Sequence, residues 1–239
     1  MEYVCLAAGK GTRFGLLGRY LQKCMYPVGL TPFVAYTVKN LIRSRAVDLP
    51  RDRLTFVVGH HAEQVQRYFG PCFEGLTIHY VEQLEQLGTG HALHLAYQTL
   101  QPTQPVVAWL ADLYVPTVLF DKVNAHPVAN VQTLAPGLAE ENADLQVSVA
   151  GERVVKAWQG EGDYDIGLWK LSPEVLARMT KERHGEYRMM PNLQAALADG
   201  HEIGYVRTDE WLHLGGTLPS PEKNVLAVTA RVLELEQKR

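Results

Sequence analysis

From Met1 to Leu110 the chain alternates between short apolar, β-branched runs and amphipathic stretches of helical spacing. That alternation restricts it to a sheet of largely parallel strands joined by covering helices. Met1-Glu2-Tyr3-Val4-Cys5 reads as a short buried strand, and the glycine-rich stretch LAAGKGTRF follows at Leu6–Phe14. Thr31-Pro32 reads as an N-cap with proline at the first helical position, opening a helix through Phe33, Val34, Val38, Leu41 and Ile42. Strands are expected at Leu54–Val58, Leu76–Val81 and Pro105–Leu110, with helices at Ala62–Phe69 and Thr89–Leu100 between them. Right-handed crossovers then place ligands at the carboxyl ends of the strands.

The second half is less regular. Strands are expected at Val131–Leu134, Leu145–Val149, Arg153–Trp158 and Asp165–Leu171, the first three as antiparallel pieces. Helices at Pro173–Thr180 and Pro191–Asp199, a strand at Glu202–Arg207 and a helix at Pro221–Gln237 complete the chain. With no repeat and no linker, the 239 residues read as one domain with a continuous mixed sheet. Its two halves are about 1–115 and 116–239.

Several function classes are set aside by composition. A formal net charge of −3 leaves no basic footprint for nucleic acid. No apolar run approaches the roughly 20 residues that span a bilayer, and no leader-like segment opens the chain, so a cytoplasmic location is expected. Three cysteines, Cys5, Cys24 and Cys72, form no CxxC pair and fit reduced thiols.

The opening loop follows a strand, where glycines expose backbone N–H groups to an anion and Lys10 and Arg13 add charge. Its order matches neither a Walker A loop nor G-x-G-x-x-G, so by itself it leaves a solvated turn as the minority alternative. Lys23 follows in an irregular segment able to fold back over the same phosphates. Gln83 ends a strand, five residues before Gly88, and a glutamine amide offers both a donor and an acceptor to a pyrimidine imide. Asp112 follows an apolar strand, either as a loop cap or as a metal carboxylate.

LAAGKGTRF, KCMYPVGLTP, EQLGTGHAL and ADLYV together resemble the sugar-phosphate nucleotidyltransferase family, with its LAAGxGTRL, PKxLxPVxxxP, QxxxxGTAxA and Gly-Asp stretches. The first and third look most like the pyrophosphorylase domain of bacterial N-acetylglucosamine-1-phosphate uridylyltransferases. Looser echoes continue in YDIGLWKLSPEV, similar to an Asn-Ala-Gly strand, in GEY, and in EWLHLGGTLPSPEK, similar to Trp-x-Asp-Ile-Gly-Thr-Pro. The resemblance implies a Rossmann-like, three-layer α/β/α fold with a mixed, mostly parallel central sheet. It also implies Mg²⁺-dependent transfer of a nucleotidyl group from UTP or dTTP to a sugar-1-phosphate.

Carried onto this chain, the resemblance makes Arg13, Lys23 and Asp112 the catalytic residues. Leu6, Ala7, Ala8, Gly9, Gly11, Thr12, Gln83, Gly88 and Thr89 bind nucleotide, and Gly167 meets the sugar. The departures are specific. His213 stands where the family places a second metal-binding Asp or Asn, which makes it either a ligand beside Asp112 or a structural histidine. VVKAWQGEGDY replaces a Glu-Lys-Pro motif and leaves Lys156 as the substitute lysine. His60-His61 and His91-x-x-His94 have no cysteine or carboxylate partner at zinc spacing. The runner-up readings are a cytidylyltransferase acting on a small phosphorylated alcohol such as phosphocholine, and a silent nucleotide-binding relative. The expected partners are a nucleoside triphosphate and a phosphorylated sugar or alcohol, with the oligomeric state left open.

Overall fold

A computed structural model describes residues 1–136, 144–179, 187–215 and 224–238, and of Arg13 the backbone alone. In chain order, β1 (Glu2–Ala7) leads through two 3₁₀ segments, Thr12–Arg19 and Lys23–Met25, into a ribbon of β2 (Pro27–Val28) and β3 (Thr31–Pro32). There follow α1 (Phe33–Ile42), β4 (Arg53–Val58), α2 (Ala62–Phe69), β5 (Cys72–Phe73), β6 (Leu76–Glu82), α3 (Thr89–Leu100) and β7 (Val106–Leu110). The remainder comprises β8 (Leu113–Tyr114), α4 (Thr117–Ala125), β9 (Val131–Ala135), β10 (Gln146–Ala150), β11 (Arg153–Lys156) and β12 (Asp163–Leu171). Last come α5 (Pro173–Ala177), α6 (Met189–Ala198), β13 (Gly204–Arg207), β14 (Leu212–His213) and α7 (Val225–Gln237).

One mixed sheet runs through both halves in the order β10-β11-β13-β9-β12-β7-β1-β4-β6-β5. Strands β7, β1, β4 and β6 are mutually parallel. Of these, β7, β1 and β4 are buried on both faces and read as nearly continuous apolar runs, whereas β6 alternates buried and exposed positions. Side chains alternate across β1. Tyr3, Cys5 and Ala7 join a core with α1, α2 and α4, while Val4 and Leu6 join another with α3, α5 and α6. The result is three layers, as expected. A third cluster seats Val228 and Val232 of α7 against Val28, Phe33, Tyr114 and Leu212.

The second half departs from the expected pattern. Beyond β7 the ladders are mainly antiparallel, because β12 returns against both β7 and β9, so the mostly parallel character belongs to the first half. β10 and β11 do pair antiparallel. β9, buried along its whole length, is an interior strand, antiparallel to β12 as expected and parallel to β13. Thr31 is not the helix cap: Thr31 and Pro32 pair with Pro27-Val28, Pro32 takes the N-cap position without a side-chain bond, and the helix starts at Phe33, whose N–H donates to the Tyr26 carbonyl at 2.9 Å. No element is expected at 111–130, yet α4 forms there and buries Leu119, Phe120 and Val123. No helix of the described residues is long and apolar enough to cross a membrane.

Candidate active site

The carboxyl ends of β1, β6 and β7 open into a cleft of about 420 Å³. Its wall includes Leu6, Ala7, Ala8, Gly9, Gly11, Thr12, Lys23, Gln83, Gly88, Thr89 and Asp112. The separate stretches singled out in the sequence therefore meet around one space. Arg13 sits in the adjoining 3₁₀ segment, its side chain outside the described residues.

Gly11 shapes the opening loop. Its φ of 60° is left-handed, and its carbonyl accepts from the Phe14 N–H at 2.8 Å. Below it lies Gln22, buried and not anticipated from the sequence. Its Nε2 reaches the carbonyls of Ala7 at 2.7 Å, His60 at 2.9 Å and Gly9 at 3.1 Å, while its own N–H donates to Gln64 Oε1 at 2.8 Å. His60 and His61 donate from Nε2 to the Gly18 and Arg19 carbonyls, each at 3.1 Å. This histidine pair ties down the loop.

Lys23, Asp112 and His213 converge at the floor. Lys23 Nζ lies 2.7 Å from Asp112 Oδ2, and His213 Nε2 lies 3.1 Å from the same oxygen. The antiparallel pairing of β14 with β8 sets His213 opposite Leu113, and the Leu214 N–H donates to the Asp112 carbonyl at 2.8 Å. Burial alone would push the Asp112 carboxyl up, but His213 and Lys23 outweigh it and hold the group well below the usual carboxylate range. Asp112 Oδ1 has no partner among the described residues. Asp112 lines the cleft, and a hard carboxylate oxygen unpartnered among the described residues fits Mg²⁺, which is commonly held by one or two carboxylates with phosphates and water. The imidazole of His213 is directed at Asp112 through Nε2, and its buried Nδ1 has no partner among the described residues.

Also lining the cleft, Gln83 donates through Nε2 to the Gly88 carbonyl at 3.3 Å and lies 2.9 Å from His91 Nδ1, which in turn lies 3.1 Å from the Glu85 carbonyl. His94 Nε2 is bonded to Gln98 at 2.9 Å, so the two helical histidines serve different partners. The turn itself is clasped by Tyr187, whose N–H donates to the Leu87 carbonyl at 2.6 Å and whose carbonyl accepts from the Gly90 N–H at 2.8 Å. A Cβ at Gly88 or Gly90 would stand 2.6 or 2.8 Å from that carbonyl oxygen, which explains both glycines.

A second cavity, about 230 Å³, shares Thr89 and Leu110 with the first. Gly167 lines it at φ 90°, and a Cβ there would meet Leu110 Cδ1 at 2.6 Å. Beneath lies buried Asp165, which accepts from Gly167 N–H at 2.8 Å, from Gln132 Nε2 at 2.8 Å and from Trp169 Nε1 at 2.9 Å. Burial raises its carboxyl to about 6, with those hydrogen bonds opposing the shift. Lys156 lies elsewhere: it is exposed on β11 opposite Ser148 and lines neither cavity. The cation at the second cavity is Arg188, 3.6 Å from Asp144 and with its guanidinium carbon 5.4 Å from the centre of the Trp158 ring. Only its place next to GEY could have signalled it.

The profile of the MobA-like NTP transferase domain matches residues 3–161. A relative, the bifunctional protein GlmU of Cellvibrio japonicus (strain Ueda107), is 32% identical over 146 residues, covering 61% of this chain and 27% of that protein. The same-named protein of Burkholderia multivorans (strain ATCC 17616 / 249) is 36% identical over 113 residues, 47% of this chain and 22% of that one. The matched stretch thus spans about a quarter of these relatives' length. Among solved structures, UDP-glucose pyrophosphorylase complexed with UDP-glucose superposes with a TM-score of 0.75 at 18% identity, covering 100% of this chain and 99% of that one. The inositol-1-phosphate CTP transferase from T. maritima gives 0.74 at 18% identity, over 99% and 95%. Both establish likeness of fold.

Proposed function

As this chain belongs to the MobA-like NTP transferase family, we propose that it transfers the nucleotidyl group of a pyrimidine nucleoside triphosphate, UTP or dTTP, to a sugar-1-phosphate. A phosphate oxygen of the acceptor attacks the α-phosphorus, the bond to the bridging oxygen breaks, and pyrophosphate leaves with its electron pair. One observation carries this reading: the glycine loop, Lys23, Gln83 and Asp112 line a single cleft.

Such a transfer needs positioning and neutralised charge more than covalent help. The backbone of Ala8, Gly9 and Gly11 offers N–H groups to the phosphates, and Lys23 supplies fixed positive charge where negative charge builds. Asp112, through Oδ1, is the group to hold Mg²⁺, which when bound neutralises the triphosphate. The cavity beside Gly167 adjoins the cleft at Thr89 and Leu110 and receives the acceptor.

A second reading, CTP-dependent transfer to a small phosphorylated alcohol, is favoured by the apolar wall that Leu145, Trp158, Met189 and Met190 give the acceptor cavity. Pyrophosphate release from each nucleoside triphosphate, against panels of sugar-1-phosphates and phosphorylated alcohols with Mg²⁺, decides between them. We expect UTP or dTTP with a sugar-1-phosphate. Release only with CTP and an alcohol phosphate selects the second reading, and release with none refutes both.

A further inference from the structure

The turn that carries Asp112 leaves β7 and enters β8, a strand of two residues paired along one edge with β14. On that edge Leu212 pairs with Tyr114, and the Leu214 N–H donates to the Asp112 carbonyl at 2.8 Å. In an extended chain the backbone groups of Leu113 and Val115 face the opposite way. There they meet a helix instead of a strand. Thr37 Oγ1 donates to the Leu113 carbonyl at 2.6 Å and accepts from the Val115 N–H at 3.2 Å, and Asn40 Nδ2 donates to the Val115 carbonyl at 3.0 Å. Thr37 and Asn40 stand one turn apart on α1, wholly buried among its apolar residues. A buried polar side chain costs free energy unless it is bonded, and threonine is a mediocre helix former, so the helix itself explains neither residue. Their bonds serve β8 as a second edge partner. With the Ala111 N–H on the Leu6 carbonyl at 3.1 Å, the backbone is fixed on both sides of Asp112.

We infer that Thr37 and Asn40 are positioning residues for the transfer: by pinning β8 they hold the Asp112 carboxylate in the place from which it holds Mg²⁺ on the triphosphate. Neither residue belongs to the cleft wall, so both act through the backbone of residues 113–115. Residues that orient a metal ligand in this way typically matter on the order of tenfold to a hundredfold in metal affinity or activity. This inference rests on the transferase reading above, with Asp112 as the metal carboxylate, and adds to it what fixes that carboxylate.

The test uses Mn²⁺ as the probe. Binding of UTP to the whole chain is measured by calorimetry with Mn²⁺ and with EDTA, and the ratio of the two Kd values gives the tightening that the metal provides. Thermal melting is followed for each variant. Thr37→Val keeps the shape and removes the hydroxyl. It should lose on the order of tenfold of the native tightening and lower turnover at saturating nucleotide, with the Kd in EDTA close to native. Thr37→Ser returns the hydroxyl and should restore both. Asn40→Ala should act in the same direction as Thr37→Val, and it carries the test alone should Thr37→Val melt too low to assay. Ser44→Ala is the control for lost stability, because Ser44 Oγ donates to Asp121 Oδ1 of α4 at 2.6 Å rather than to β8. It should melt lower and keep the native tightening. Native tightening in both Thr37→Val and Asn40→Ala, or a loss in Ser44→Ala as large as theirs, overturns the inference while leaving the transferase reading intact. A native chain that binds no UTP, or binds it equally well with Mn²⁺ and with EDTA, refutes the reading on which the inference rests, and the inference with it.

Discussion

His213 Nε2 lies 3.1 Å from Asp112 Oδ2, the same oxygen that Lys23 Nζ contacts at 2.7 Å. Two donors on one oxygen leave the other as the natural site for a cation. Asp112→Ala should therefore abolish Mg²⁺-supported activity, whereas His213→Ala should cost on the order of tenfold, the scale of one hydrogen bond to a charged group. Rates with Mg²⁺, Mn²⁺ and Co²⁺ for both variants check this. Pulsed electron paramagnetic resonance of the Mn²⁺-loaded chain adds an independent readout. A directly bound imidazole nitrogen, together with activity in Mn²⁺ but not Mg²⁺, would make His213 a ligand and refute the assignment.

Lys23 is exposed to interference from a residue that touches no substrate. A Cβ on Gly215 would stand 2.6 Å from Lys23 Nζ and 2.7 Å from its Cε, at a φ of 135° that side chains rarely adopt. Lys23→Ala should lower turnover about a hundredfold with a much smaller change in nucleotide affinity, and Gly215→Ala should act in the same direction but by less, because the flexible end of the lysine can shift aside. Steady-state rates beside calorimetric Kd values separate the two effects. Native turnover in Lys23→Ala would remove Lys23 from the place given to it.

Gln22 holds the phosphate loop from below through three carbonyls. Gln22→Leu strips those carbonyls of their donor and should lower stability by roughly 1–3 kcal/mol while weakening nucleotide binding. Gln22→Glu should be worse than Gln22→Leu for loop order, because a carboxylate would face three acceptors. Melting temperatures and nucleotide Kd values for the pair test the ranking.

Asp165 makes stability depend on pH. Its folded carboxyl titrates at about 6, above the ordinary 3.8, so between those values the folded chain keeps a proton that the unfolded chain has shed. Stability from this group is full below about pH 4 and falls as pH rises through 6, by on the order of 3 kcal/mol. Asp165→Asn should flatten that slope. It should also fold well, because Gln132 Oε1 is buried without a partner among the described residues and can take the new amide hydrogen once the Gln132 side chain turns. Denaturant titrations from pH 4 to 7 on both proteins give the difference, and parallel curves would refute it.

What the sequence makes legible is local. Leu6–Thr12, Gln83, Gly88, Thr89 and Asp112 each sit at or just beyond the end of an apolar strand, so strand periodicity alone delivers them to one edge of the sheet. Gln22 escapes because its role lies in carbonyls distant in sequence, and a buried glutamine carries no periodic mark. His213 reaches Asp112 only through the two-residue pairing of β14 with β8, too short to leave a pattern. Thr31 misleads because it pairs in a ribbon with Val28, so the cap position falls to Pro32. Lys156 follows from replacing a missing motif by position, and the strand that carries it lies toward the sheet's far edge.

The clasp of Tyr187 on the base-reading turn is made from backbone atoms alone. Its inheritance therefore asks for glycine at 88 and 90 and for almost nothing from the side chains that follow on α6. Met189, Met190 and Pro191 open α6 just beyond that seam and line the second cavity, with both methionines buried in the core shared with α3. Any change of lining at these positions is bounded by core packing and leaves the seam at Gly88 and Gly90 in place.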